Sequence, residues 1–513
     1  MAEQVDIVIG SGPAGVSAAR ALLARGRKVL MLDGGKVLED EAVERRDALA
    51  RLDPHQWNQS ARDGWMARQF ASPAGQVRRY GSDFAMEAAT ATFHEPPDWM
   101  ALRASRAAGG LSNLWGAAIL PYRQQDMAGW PITAEDLAPH YRATAKFLPV
   151  AGRVDDLSNL LPVEAGGDRT AIPPTIQADA LLTRLAAKRE RMAAMGFRFG
   201  AARQAVDGCC RRCGLCLHGC PFGLIWKAGD ALASLRQAPG FAYRPASLVR
   251  RFEETPSGVT LHLEGGNTLD GARVFLGAGV LETARIVLAS MPGVAELVLR
   301  DSQHAFLPMI QRWRNRERPD RGPFHTLPQL FVELDAPDVS PYLVHSQLYT
   351  WNEHFPRDLI ANYGQKLPFS APLLTALARR LIVAQIFLHS DHSHRIGLGL
   401  AADGRLTARL DRNPEMERIL KAATARIGKA MGLAGLSALT FASRPGAPGS
   451  SFHAGGTVPM ETNPQAGAAD PLGRPAGLSR VHLIDASCLP AIPATTITFS
   501  VMANAHRIAA LSP

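Results

Sequence analysis

The almost unbroken apolar run Val5-Asp6-Ile7-Val8-Ile9 has the pattern of a strand buried on both faces of a parallel sheet. Gly10, Gly12 and Gly15 follow, then an alanine-rich helical segment to about Ala24, then a second strand over Lys28–Leu32 that ends at Asp33. This order makes a strand–helix–strand unit. Its glycines allow a tight turn and close approach of backbone amides to a pyrophosphate, its helix N-terminus favours that negative charge, and Asp33 can accept from ribose hydroxyls. Gly10, Gly12, Gly15 and Asp33 are therefore expected to hold a dinucleotide, and the fingerprint leaves FAD and NAD both open.

Periodicity weakens over 40–100, an excursion with short helices, and a glycine-bearing loop with aromatics spans 107–122. Thr133 is placed to cap a helix over 134–148, with Asp136 completing a capping box, and a second helix is predicted over 178–195. A helix over 229–235 and alternating strands over 246–253, 258–264 and 272–276 lead to Gly277-Ala278-Gly279 and a helix over 282–289, so a nucleotide-binding architecture resumes there. Between 300 and 445 the pattern changes to alternating segments such as 329–334 and 342–349, with a hairpin over 395–410 that turns at Asp403-Gly404. A helix over 415–431 follows Asn413-Pro414. This stretch is expected to form an antiparallel sheet that contacts substrate.

With 513 residues, 46% hydrophobic and 20% charged, the chain suits a globular protein of two or three domains rather than a single core or a disordered chain. Its formal net charge is +9, but the basic residues are scattered or paired, as in Arg45-Arg46, Arg211-Arg212 and Arg379-Arg380, and no nucleic-acid motif accompanies them. A nucleic-acid partner is not expected; an acidic redox partner, a phosphorylated or uronic substrate, or a membrane surface could each use that sign, but a mildly basic solvated surface is the simpler reading. No apolar stretch is long enough to span a bilayer, because 373–388 is broken by Arg379 and Arg380. The first strand begins without a basic region, a long apolar core or a cleavage site before it, so the expected location is cytoplasmic, with export on a signal-bearing partner left open.

Five of the six cysteines, Cys209, Cys210, Cys213, Cys216 and Cys220, crowd into twelve residues. From Cys210 the spacing is CxxCxxCxxxCP, that of the bacterial ferredoxin run, in which soft thiolates hold the iron of a cluster. Structural zinc and unliganded thiols are the competing readings. Disulfides are disfavoured, because cysteines so near along the chain bridge poorly and Cys488 stands alone. His389, Asp391, His392 and His394 could bind a divalent ion but read more simply as a polar loop.

The glycine fingerprint, GGLSNLWGA, WPITAEDLAPHY, GAGVLETARIVLAS, SFHAGGTVPM and HLIDASCLPAIPATTITFSVMANAHRIA stand in this order along the chain. Together they resemble the glucose-methanol-choline (GMC) flavoprotein oxidoreductases. The resemblance implies an α/β fold. A Rossmann-like FAD-binding domain over 1–130, 200–300 and 445–513 would interleave with an α+β substrate domain on an antiparallel sheet over 131–199 and 301–444, and 209–223 would be an iron–sulfur-binding insertion.

The same resemblance implies FAD, with Gly10, Gly12, Gly15 and Asp33 at its ADP half, Leu248 and Val249 near the adenine, and Gly279 lining the nucleotide. Gly109, Gly110, Ser112, Asn113 and Trp115 would approach the flavin, Asp485 and Ala486 the pyrophosphate and ribityl chain, and Thr496 the ring. His453 matches the family's catalytic histidine, which removes the hydroxyl proton while the carbon-bound hydrogen leaves as hydride. The family's second polar residue, His or Asn, falls here at Ile492, which can neither orient a hydroxyl nor take a proton. Thr495, Thr496, Thr498 or a residue of another segment is expected to substitute.

A narrower resemblance, to catalytic subunits of bacterial FAD-dependent glucose and related sugar-alcohol dehydrogenases, rests on CxxxxxCxxxCPxG, reproduced by Cys210, Cys216 and Cys220. It implies a three-iron cluster, and Cys213 would add a fourth ligand, so that [3Fe-4S] and [4Fe-4S] are both open. The expected activity is that of a FAD-dependent dehydrogenase acting on the CH–OH group of a sugar-like or other alcohol. Its electrons would pass through the iron–sulfur cluster to an external acceptor: a cytochrome, a ferredoxin or a quinone-linked carrier. The alternatives are an oxygen-using oxidase with structural zinc, and a redox-neutral flavoprotein acting as isomerase or lyase.

Overall fold

Five strands lie parallel in the order Val481–Leu483, Arg273–Leu276, Val5–Ile9, Lys28–Leu32 and Phe241–Arg244, so segments from both ends and the middle of the chain meet in one sheet. Parallel strands need crossovers that cover both faces, which is why these strands read as apolar runs. Ile7, Val8, Met31, Leu32, Phe275, Leu276, Val481 and Leu483 are buried in one core. The helix Pro13–Ala24 packs there against Thr498–Leu511. The connection from Val5–Ile9 runs to one side to Lys28–Leu32, while Arg273–Leu276 pairs on the other, so the topological switch point falls at Gly10.

The computed structural model describes residues 5–66, 69–71, 77–79, 84–162, 171–364 and 370–513. The expectation about an export signal rests partly on residues 1–4, and the substrate segments 131–199 and 301–444 include 163–170 and 365–369; these residues lie outside the described ones.

A second, antiparallel sheet runs in the order Leu436–Ala438, His304–Gln311, Leu381–Phe387, Val344–Tyr349, Leu330–Leu334 and Phe197–Ala201, with Arg444–Pro445 also on His304–Gln311. One face is closed by the helices Ile176–Ala186 and Glu415–Leu433. Met416, Ile419, Leu420, Ala423, Ile427, Ala430 and Met431 line the buried stripe of the latter at helical spacing. The expected capping box is present, with the helix Ala134–Ala145 opened by Thr133 and Asp136.

Three elements differ from the sequence-based expectation. The helix predicted over 178–195 is two helices, Ile176–Ala186 and Arg189–Ala194. Lys188 and Arg189 stand at the break, where cations suit the negative end of the first helix. Phe197–Ala201, whose apolar pattern is broken by Arg198 and Gly200, pairs as an edge strand with Leu330–Leu334. The hairpin Arg395–Leu400 and Leu406–Asp411 leaves the large sheet and pairs through Leu297–Asp301 with Ala454–Gly455, next to His453. Among the described residues no helix is long and apolar enough to cross a membrane.

Candidate active site

A cavity of about 1110 Å³ opens at the switch point and runs between the parallel sheet and the antiparallel one. Gly10, Ser11, Gly12, Pro13, Ala14 and Asp33 form one end. Gly10 has φ +97°, and a Cβ there would lie 2.3 Å from the Gly277 carbonyl oxygen; at Gly15 it would lie 1.8 Å from the Gly10 oxygen. Only glycine permits this approach of helix to strand. At Gly12, by contrast, a Cβ would meet no protein atom within 4 Å, and the helix that starts there has no side-chain cap. A polar helix end with open space before it is the arrangement a pyrophosphate requires, so these residues fit the ADP half of a dinucleotide.

Asp33 is tied into the same turn. Its carboxylate accepts from Ser11 N (2.8 Å), Ser11 Oγ (2.7 Å), Gly35 N (2.6 Å) and the Tyr243 hydroxyl (3.3 Å). Those four donors fill its acceptor positions, so Asp33 shapes the glycine turn, and a ribose hydroxyl would have to displace the long Tyr243 contact. Burial raises the Asp33 pKa against these hydrogen bonds. Asp485 is tied in the same way at a second turn, Gly277-Ala278-Gly279. It accepts from Gly279 N (2.9 Å), Thr283 Oγ1 (2.6 Å) and Ser487 N (2.9 Å), and burial raises its pKa too.

The opposite wall carries His453, with Phe387, His304, Gln347, Tyr349 and Gln385 of the antiparallel sheet. Phe387 stacks on His453 with ring centroids 4.9 Å apart and also contacts His304 and His345. His453 Nδ1 has no hydrogen-bond partner among the described residues. Burial, with His345 and His304 nearby, pushes its pKa down to about 3, so the imidazole is neutral and can accept a proton. Gln347 is held on both sides: its Nε2 lies 3.2 Å from His345 Nε2, and its Oε1 accepts from Tyr349 at 2.9 Å. His345 Nδ1 is in turn 2.7 Å from Glu333, and both side chains are fully buried.

Residues 411–505, the segment that contains His453, Asp485 and Thr496, match the family model described as GMC oxidoreductase. This C-terminal segment is similar to the GMC oxidoreductases. The fold is similar to that of pyridoxine 4-oxidase from Mesorbium loti, with a TM-score of 0.58 and 15% identity over 99% of this chain and 98% of that one. No curated protein matches the sequence.

Not every residue expected at the GMC cofactor site reaches the cavity. Gly10, Gly12, Asp33, Gly110, Ser112, Trp115, Gly279, Asp485, Ala486, Thr496 and His453 line it. Gly15, Gly109, Asn113, Leu248, Val249 and Thr495 do not. Gly15 serves packing. Gly109, at φ +85°, donates to Ser11 Oγ and abuts Gly229. Asn113 folds back onto the Ala108 and Gly110 carbonyls, and Val249 spends its carbonyl on Arg285. Thr495 and Thr496 are buried, their hydroxyls have no partner among the described residues, and of the two only Thr496 lines the cavity. Ile492 is fully buried and bonds through its backbone to Ser390. His304, Gln347 and Gln385 were missed because nothing in the sequence of their strands says which polar residues face the cavity, which is set by the sheet register.

Cys210, Cys213, Cys216 and Cys220 line one small cavity with Val206, Phe222, Leu224, Ile225 and Leu327. Burial pushes the thiols of Cys210, Cys213 and Cys216 up, that of Cys213 to about 12, and neighbouring cysteines push each further. Cys209 is exposed and stands apart. The donor set, soft sulfur in apolar surroundings, fits iron–sulfur chemistry. The enclosed space is about 10 Å³, room for about one water and not for a cluster. As they stand, neither these four cysteines nor any other group of three or more His, Cys, Asp or Glu side chains among the described residues is arranged to hold a metal ion. That includes the 389–394 run, where His389 bonds to Asp126 and Asp391 backbone, His392 to Ser340 and His394 to Asn413.

Proposed function

We propose that this chain is a FAD-dependent GMC dehydrogenase of a polyol-like alcohol, and that electrons leave it through an iron–sulfur cluster held by Cys210, Cys213, Cys216 and Cys220. The observation that carries the reading is that Cys216 and Leu327 line both the cysteine cavity and the large cavity, so the two sites share a wall. FAD, when bound, supplies a two-electron hydride acceptor and the cluster a one-electron carrier. The chain's own residues do the rest. His453, neutral and facing the cavity, takes the hydroxyl proton as the alcohol is oxidised, while Gln347 and Gln385 present amides to the remaining hydroxyls.

The supporting experiment is anaerobic: a panel of polyols is mixed with iron-loaded enzyme, and flavin absorbance and cluster electron paramagnetic signals are followed together. Reduction of both within one turnover supports the proposal, and zero iron in anaerobically purified protein overturns it. The fold likeness to a protein named an oxidase favours one competing reading, an oxygen-using oxidase. Stoichiometric peroxide with zinc in place of iron would establish that reading.

A further inference from the structure

Five arginines, Arg312, Arg314, Arg316, Arg318 and Arg321, fall within the ten residues 312–321, against two acids, Glu317 and Asp320. All five arginines are exposed. Asp320 is already engaged by Arg318 at 2.6 Å and by Arg379 at 2.9 Å. Arg314, Arg316 and Arg321 have no ion-pair partner among the described residues. Exposed like charges without partners cost solvation little but repel one another, so their concentration on one loop sets up a local positive field.

That loop runs directly into the cysteine site. Phe324 N donates to the Arg212 carbonyl at 3.0 Å, Phe324 pairs with Cys213 in a β-bridge, and its ring packs on Gly214. Two residues, Gly322 and Pro323, separate Arg321 from Phe324, at most about 10 Å of chain. Arg211 and Arg212 add two more cations on the cysteine loop itself, and of these Arg211 pairs with Asp53 across an exposed 3.1 Å contact. Cys209, Leu217 and Gly223 are exposed, so the cysteine loop reaches the surface beside the arginines.

We propose that the arginine segment 312–321, together with Arg211 and Arg212, is the docking surface for an acidic one-electron carrier protein. The inference rests on the electron-relay reading above and gives it a partner. Complementary charge raises the encounter rate and orients the carrier over the cysteine loop, an effect that falls steeply with salt.

The test uses anaerobic, iron-loaded holoenzyme, photoreduced and mixed by stopped flow with an acidic c-type cytochrome. The triple variant Arg314→Glu, Arg316→Glu, Arg321→Glu lies on an exposed loop outside the candidate active site. It should lower the second-order rate at low ionic strength by about tenfold or more and flatten its salt dependence. Reduction of neutral 1,4-benzoquinone should be unchanged. An unaltered cytochrome rate overturns the docking proposal, as does loss of binding to phosphatidylserine vesicles with the cytochrome rate intact, which would make the patch a membrane contact. Absence of iron, or a cluster that the flavin does not reduce, fails the relay reading instead, and the two failures are therefore distinguishable.

Discussion

Ser451 donates its hydroxyl to Asp301 across 2.6 Å, and the same oxygen accepts the backbone N–H of His453 at 3.0 Å. Asp301 also accepts from Gly449 N at 2.7 Å, so one carboxylate at the end of the Leu297–Asp301 strand clamps both sides of the turn that carries the histidine. Phe452, between Ser451 and His453, sits at φ +61°, a conformation that costs a non-glycine residue about 1–3 kcal/mol and persists only where neighbours impose it. The clamp is the neighbour that imposes it.

Burial pushes the Asp301 pKa up to about 6, against the opposing hydrogen bonds from Ser451 and Gly449. A carboxyl whose folded pKa exceeds its unfolded value binds its proton more tightly when folded. Its stabilising contribution is therefore complete below about pH 4 and lost as pH rises through about 6, a change of about 2–3 kcal/mol. Thermal midpoints measured from pH 4 to 8 should fall by less in Asp301→Asn than in the parent. Equal pH slopes in the two proteins would show that Asp301 does not titrate in this way.

His453 should be needed for proton removal and not for cofactor retention. Replacing it with Gln keeps a polar side chain against Phe387 but removes the base, and kcat for alcohol oxidation should fall by about 10²–10⁴-fold. FAD content, read from the flavin absorbance of purified protein, should be unchanged. Because His453 is neutral above about pH 3, its protonation should not limit activity between pH 5 and 8, so any acid limb in that range must come from another group.

Glu333 and His345 face each other at 2.7 Å across paired strands, both fully buried. Removing one partner of a buried pair leaves the other unsatisfied, so Glu333→Ala should lower stability by about 3–5 kcal/mol in urea unfolding, while Glu333→Gln, which still accepts a hydrogen bond, should cost far less. His345 also touches Gln347 on the cavity wall. The Gln variant should therefore raise KM for the alcohol more than it lowers kcat, and a change in kcat alone would place Gln347 away from the substrate.

The parallel half of the molecule was legible because each of its parts has a local signature. Val5–Ile9 is apolar but for Asp6, Gly10 and Gly15 stand where a Cβ cannot, and Thr133 with Asp136 closes a capping box within four residues. The antiparallel wall was legible only as strands. Which of its polar residues face the cavity depends on register between segments far apart in sequence, such as His304 opposite Phe387 and Gln347 opposite Gln385. The hairpin at Asp403-Gly404 was recognisable by its turn, but its partner, Leu297–Asp301, lies about a hundred residues away and leaves no local trace. For the same reason the motif position at Ile492 was readable, whereas His304, close to His453, emerged only from the folded chain.

The cysteine loop offers the sharpest single substitution. Cys210, Cys216 and Cys220 hold the three positions of the narrower spacing, and Cys213 lines the same cavity from the segment paired to Phe324. If all four are ligands, Cys213→Ala should leave about three irons per chain in place of about four, with a paramagnetic oxidised cluster where the parent is silent. Cys210, Cys216 or Cys220→Ala should each lose most of the iron, and Cys209→Ala, at an exposed site outside the cavity, should lose none. Iron content unchanged in Cys213→Ala would make Cys213 a bystander and assign the cluster to three cysteines, whereas equal loss at Cys209 and Cys213 would mean that the crowded cavity is not the metal site.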